Sequence, residues 1–203
     1  MAKGIMRALL GLSIIASGVA IASPASAQTH MYSSKASTTA TWCLAVQGTG
    51  DNNHNYANGT RLITWPCNPN NSDLTQQWAM QPYSGGSAQQ LVSSVHSQGY
   101  GNECAALQNN GSTSDGTQAI IWPCAAATND QGWWKNDSGK TDAWGHHCYS
   151  FTNEKALLRW PPAPNTKLLT VQGGTPNYST NVVLWPINQT TGKPDDAQLW
   201  CEW

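Results

Sequence analysis

Charge is what this sequence has least of. Lysine and arginine together number 10 and aspartate and glutamate 11 in 203 residues. No basic stripe is present, so neither nucleic acid nor an anionic membrane is an expected partner. Phenylalanine occurs once, although tryptophan occurs 11 times. CxxC, HExxH and GxSxG are all missing, which removes the usual signatures of a metal site and of a nucleophile elbow. No window carries a sustained 3.6-residue apolar stripe, which argues against a helical architecture. Asparagine, threonine, serine, glycine and glutamine stand in for the missing charges, giving a surface kept soluble by amides and hydroxyls.

The one long apolar run lies at the start. Lys3 and Arg7 precede it, it extends from Ala8 to about Ala22, and Ala25-Ser26-Ala27 follows as a small-residue cleavage site. Residues 1–27 therefore read as a secretory leader, too interrupted and short for a membrane span. Removing the leader takes away two basic residues and no acids, leaving a formal charge of −3. All six cysteines fall after it: Cys43, Cys67, Cys104, Cys124, Cys148 and Cys201. An even count behind a leader indicates disulfides made in an oxidising compartment.

The remaining chain repeats itself. CLAVQG (43–48), ITWPC (63–67) and QQW (76–78) align with CAALQN (104–109), IIWPC (120–124) and QGW (131–133), and again with LLTVQG (168–173), VLWPI (183–187) and QLW (198–200). The Trp-Pro pairs are 57 and 63 residues apart, a spacing expected of one pseudo-symmetric domain. Two cysteines occupy matching positions in the first and second repeats. In the third, both are replaced together by Leu168 and Ile187. Joint loss to apolar residues is how a bridged pair behaves, so Cys43–Cys67 and Cys104–Cys124 are expected bridges and Cys148–Cys201 the remainder. Loops of this size contribute roughly 3–4 kcal/mol each by chain-entropy reasoning. Short β-branched runs such as LVSSVHS (91–97), TQAIIW (117–122) and TNVVLW (180–185), punctuated by NPNNS, NNGS and QGGTPN, predict an all-β class. LTQQW and DDAQLW are expected to hold single helical turns. Residues 28–41 are polar, either a tail or partly an opening strand.

Three in-register Gln-x-Trp motifs, with Trp-Pro strands and a CL cysteine, resemble the ricin B-type lectin domains. The resemblance covers 42–203 and implies a β-trefoil of three pseudo-symmetric lobes. The family's usual bridge agrees with the pairing expected from the repeats. DNNHNYANGT (51–60) and AWGHHCYSFTNEKALLRWPPAPN (143–165) look like insertions into the family pattern.

The resemblance also implies a site in each lobe: an Asp after the first cysteine, a Gln two before the strand Trp, that Trp as a stacking platform, and an Asn before Gln-x-Trp. The platforms are present as Trp65, Trp122 and Trp185, and the motif glutamines as Gln76, Gln131 and Gln198. The other polar positions differ. The Asp position holds Ala45, Ala106 and Thr170, the Gln position Ile63, Ile120 and Val183, and the Asn position Thr75, Asp130 and Ala197. A hydrogen bond to a charged group is worth about 1.5–3 kcal/mol, so the usual galactose site is degenerate. Residues two apart share a strand face, so each platform has an apolar neighbour. That patch is either covered by the chain's insertions or offered to a partner.

Trp78, Trp133 and Trp200 are expected in the core, with one of Trp133 and Trp134 turned outward. His146-His147 reads as solvent-facing or locally bonded. No catalytic set, cofactor or metal site is apparent, and the chain is read as no enzyme. The expected function is a secreted, extracellular carbohydrate-binding protein recognising glycans through Trp65, Trp122, Trp185 and the motif glutamines. The alternative is a docking or receptor-binding subunit of a toxin or enzyme complex with a protein partner, similar to the lectin-like subunits of cytolethal distending toxins.

Overall fold

The computed structural model describes residues 28–35, 41–48, 56–68, 72–82, 88–96, 101–125, 128–157 and 166–203. The expected leader, Trp160, and parts of the two expected insertions (51–55 and 158–165) lie outside the described residues.

Proline and tryptophan set the strand ends. Three hairpins share one register: β2 (Trp42–Val46) with β3 (Leu62–Pro66), β6 (Asn102–Leu107) with β7 (Thr117–Pro123), and β10 (Lys167–Val171) with β11 (Thr180–Pro186). Each places the first framed residue opposite the platform tryptophan: Cys43 faces Trp65, Cys104 faces Trp122 and Leu168 faces Trp185. The following proline has no N–H to offer a ladder, and each hairpin makes one further backbone bond just beyond it, from the N–H of Cys67, Cys124 and Ile187 to the carbonyls of Thr41, Asn102 and Thr166. Ahead of each of these strands, Thr60, Thr117 and Thr180 donate their backbone N–H to the carbonyl three residues back, closing the same tight turn. Its left-handed residue is Gly59, Gly116 or Ser179, at φ 88°, 77° and 52°.

The remaining strands are β1 (Thr29–Ser33), β4 (Gln77–Pro82), β5 (Gln89–His96), β8 (Gly132–Thr141), β9 (His147–Asn153) and β12 (Trp200–Glu202). The 12 strands among the described residues join one antiparallel network that closes through the β10–β9 and β11–β7 pairings. The only helical pieces among the described residues are single turns, including Leu74–Gln76 and Asp196–Gln198, where they were expected. No helix among them is long and apolar enough to cross a membrane.

Of the two readings of residues 28–41, the opening strand holds for Thr29–Ser33, which pairs with β12, β2 and β4. One expectation changes: within 143–165, His147–Asn153 is not inserted material. It pairs with β8, β12 and β10, and its Phe151 is fully buried. Its polar residues disguise it because Ser150 and Thr152 face away from Phe151 on the alternating strand.

Trp78, Trp133 and Trp200 are fully buried at the centre of the core. Each indole Nε1–H donates to the backbone carbonyl just beyond a hairpin's first framed residue: Leu44 at 3.0 Å, Ala105 at 2.9 Å and Leu169 at 3.0 Å. A buried indole needs such a partner, and a net hydrogen bond of this kind contributes about 1 kcal/mol. The three bridges are Cys43–Cys67, Cys104–Cys124 and Cys148–Cys201, as the repeat frame predicts.

Candidate functional site

Strand parity decides which side chains reach the surface. Leu62, Ile121 and Leu184 point into the core, whereas Trp65, Trp122 and Trp185 stand on the outer ends of their strands at 39%, 47% and 49% exposure. Their neighbours Ile63, Ile120 and Val183 are buried. The apolar patch expected from the sequence is therefore split, with a covered aliphatic floor and an exposed aromatic wall.

Each platform is braced by a loop from elsewhere in the chain. Gly59 in the first repeat comes within 3.9 Å of the Trp122 ring, measured from an ideal Cβ, and Gly116 in the second comes within 3.6 Å of Trp185. Tyr178 in the third meets Trp65 edge-on at 5.4 Å and Trp42 at 5.1 Å.

The motif glutamines sit behind the platforms. Gln76, Gln131 and Gln198 are buried, and each donates Nε2–H to the carbonyl of its Trp-Pro proline, at 3.0, 3.0 and 2.8 Å. Each Oε1 accepts a backbone N–H, from Asn68, Ala125 and Asp195 respectively. The geometry corrects the expectation that these amides face a ligand. Both of their ends are engaged by backbone, so they hold the platforms in place.

Beside two of the platforms lie open concavities. One, of about 310 Å³, is walled by Trp122, floored by the cross-strand pair Ala106 and Ile120, and rimmed by Asn109, Asn110 and Asp130. The other, of about 340 Å³, is walled by Trp185, floored by Thr170 and Val183, and rimmed by Gly173, Gly174 and Asp195. Asp130 takes the position of the family's Asn, and Asp195 lies in the turn before Gln198. In the sequence the Asn109-Asn110 pair has the appearance of turn punctuation only. The signal was the alignment of NNG with the third repeat's GGT.

A separate cavity of about 360 Å³ lies against β8 and β9. Leu168 and Ile187, the residues that replace the cysteine pair, form part of its floor, and Trp134 and Asn136 part of its wall. Trp134 is thus the outward member of the Trp133-Trp134 pair.

The turn after β8 holds a third feature. Asp142 Oδ1 accepts the backbone N–H groups of Trp144 at 2.9 Å and His146 at 2.8 Å. The Tyr32 hydroxyl donates to Asp142 Oδ2, and His146 Nδ1 lies 2.8 Å from Tyr32 Oη. Burial alone would raise the Asp142 pKa. The hydrogen bonds from Tyr32, His146 and Trp144 outweigh it and hold the carboxyl at about 2. Burial, followed by that hydrogen bond and the carboxylate charge, pushes the Tyr32 phenol up. Burial lowers His30, which packs edge-on against Trp203 at 5.8 Å. Trp144 and Trp203 are both exposed around this group. Among the described residues, no cluster of His, Cys, Asp and Glu is arranged to hold a metal ion.

No protein-family model matches the sequence, and no curated protein matches it. Solved structures do resemble the fold. ThreeFoil, a designed threefold-symmetric protein, superposes with a TM-score of 0.61 at 19% identity, over 86% of this chain and 96% of that one. A ricin B-like lectin from Macrolepiota procera, solved with lactose, gives 0.52 at 17% identity, over 87% and 94%. The cytolethal distending toxin of Actinobacillus actinomycetemcomitans gives 0.51 at 14% identity, over 85% and 88%. At these identities the likeness establishes the fold, the β-trefoil seen in ricin B-like lectins, and not a shared ligand.

Proposed function

We propose that the protein is a secreted, non-catalytic lectin-like protein of three pseudo-equivalent lobes, recognising extracellular or cell-surface glycans through the platforms Trp65, Trp122 and Trp185. The observation that carries this reading is the exposure of all three platforms on strands whose preceding residues are buried. Exposing a large indole surface to water at three matched positions costs stability. It is explained by a stacking partner. The lactose complex of the Macrolepiota lectin, a neighbour in fold, adds support. The test is a glycan array probed with the purified protein, read beside intrinsic tryptophan fluorescence on adding soluble glycans. Array signal together with a fluorescence change is expected. Silence in both would sink the proposal.

A second reading has its own observation. Trp144 and Trp203 are exposed beside Tyr32 and His146, with the Trp144, His146 and Trp203 ring centroids 5.5–6.4 Å from that of Tyr32. Tryptophan-rich surface of this kind suits contacts with a protein partner, and the fold is shared with a toxin chain. Capture of a defined catalytic subunit from native culture, lost on Trp144→Ala/Trp203→Ala, would favour it over glycan recognition.

A further inference from the structure

The concavity beside Trp122 is floored by Ala106 and Ile120, which face one another across the β6–β7 pair. Both are buried, and neither side chain carries a polar atom. A sugar hydroxyl directed at this floor would lose its water and find no partner, whereas a methyl group there would gain apolar contact. The rim has the opposite character. Asn109 and Asn110 are exposed, and Asp130 adds a carboxylate.

The two asparagines sit in the left-handed region one after the other, at φ 58°, ψ 53° and φ 55°, ψ 40°. In the third repeat the matching positions are Gly173 and Gly174, at φ 72° and 74°. Glycine adopts this conformation without strain, and any side chain adopts it at some cost. Consecutive strained residues of this kind cluster at ligand sites. The second repeat carries that cost and keeps two amides at the edge of its pocket. The third avoids the cost and presents no side chain there.

Resting on the reading of the platforms as sugar sites, we infer that the Trp122 pocket is selective for a 6-deoxyhexose. Its C6 methyl sits on Ala106 and Ile120, its ring stacks on Trp122, and its hydroxyls face Asn109, Asn110 and Asp130. The apolar residues that replace the family's polar anchors are then specificity determinants, not a loss of function.

The test uses matched sugars that differ only at C6: D-fucose against D-galactose, L-fucose against L-galactose, and L-rhamnose against L-mannose. Affinity is read by saturation-transfer and chemical-shift NMR on the full protein. At least one deoxy sugar is expected to bind roughly tenfold tighter than its 6-hydroxy parent, with its strongest saturation transfer at the methyl protons. Trp122→Ala should abolish that binding, and Ile120→Gln should bring the ratio close to one. Should Ile120→Gln fail to fold, Asn109→Gly/Asn110→Gly provides an independent arm. It should weaken the deoxy sugar at least fivefold while leaving the thermal midpoint unchanged or raised. Parent hexoses binding as tightly as their deoxy partners would overturn the inference and leave the sugar-site reading intact. No binding by either series, with Trp122→Ala indistinguishable from the parent protein, would overturn the underlying reading as well.

Discussion

Replacing Asp142 by asparagine should destabilise the protein in a way that depends on pH. Asp142 accepts from two backbone N–H groups, from the buried Tyr32 hydroxyl and from His146, and only 7% of its side chain is exposed. Its carboxyl lies at about 2 in the folded protein against an ordinary 3.8. Just under two units at 1.36 kcal/mol each gives about 2 kcal/mol of stability tied to the charged form. The depressed value means that the unfolded chain binds more protons than the folded one between pH 4 and 2. This contribution is complete above pH 4 and lost as pH falls from there towards 2. Asp142→Asn removes the charge and turns one acceptor oxygen into a donor facing Tyr32. At pH 7 the variant should unfold about 2 kcal/mol more easily, or roughly 4–8 °C lower in midpoint for a chain of this size. The assay is urea unfolding of both proteins at pH 7, 5, 4, 3 and 2, and the two stabilities should converge as pH falls. A difference that persists unchanged to pH 2, or no difference at pH 7, would refute the account of Asp142 as the ionised hub of this turn.

The clamp behind Trp122 predicts that Gln131→Ala, which leaves the Pro123 carbonyl and the Ala125 N–H without their partner, costs about 2 kcal/mol in chemical unfolding. Ser179 holds φ 52° where the matching residues are Gly59 and Gly116, so Ser179→Gly should raise the midpoint, by about 0.5–1 kcal/mol in stability. Cys104→Ala/Cys124→Ala opens a bridge spanning 20 residues and should lower stability by about 3 kcal/mol, measured against the parent protein without reductant.

How much of this was legible in the sequence follows from what repeats and what does not. The cysteine bridges, the buried Trp78, Trp133 and Trp200, and the all-β class were readable because the same backbone contact recurs three times and leaves the same residue each time. The role of Gln76, Gln131 and Gln198 was not. A glutamine that clamps a proline carbonyl and one that meets a sugar leave identical letters, and only burial separates them. Strand β9 was missed because its core-facing residues Tyr149, Phe151 and Asn153 alternate with Cys148, Ser150 and Thr152 on the other face, and neither set is a clean apolar series. The Asn109-Asn110 rim escaped notice because its signal is conformational. Asn-Asn looks like an ordinary turn until both residues are seen at positive φ opposite a Gly-Gly pair.

Strand parity also explains how such a frame changes its ligand without changing its fold. On each Trp-Pro strand the residues that build the core, Leu62, Ile121 and Leu184, alternate with those that face outward, Ile63, Ile120 and Val183. The central indoles bond to backbone carbonyls, and the glutamines bond to backbone as well, so neither requires a particular side chain at the outward positions. An anchor there is free to become an aliphatic floor at little cost to the scaffold. Polar recognition then has to come from the loops, where the second repeat offers Asn109, Asn110 and Asp130 and the third offers Gly173, Gly174 and Asp195. Two pockets on one scaffold, alike in platform but unlike in rim and in one floor residue, Ala106 against Thr170, should therefore differ in ligand more than in stability.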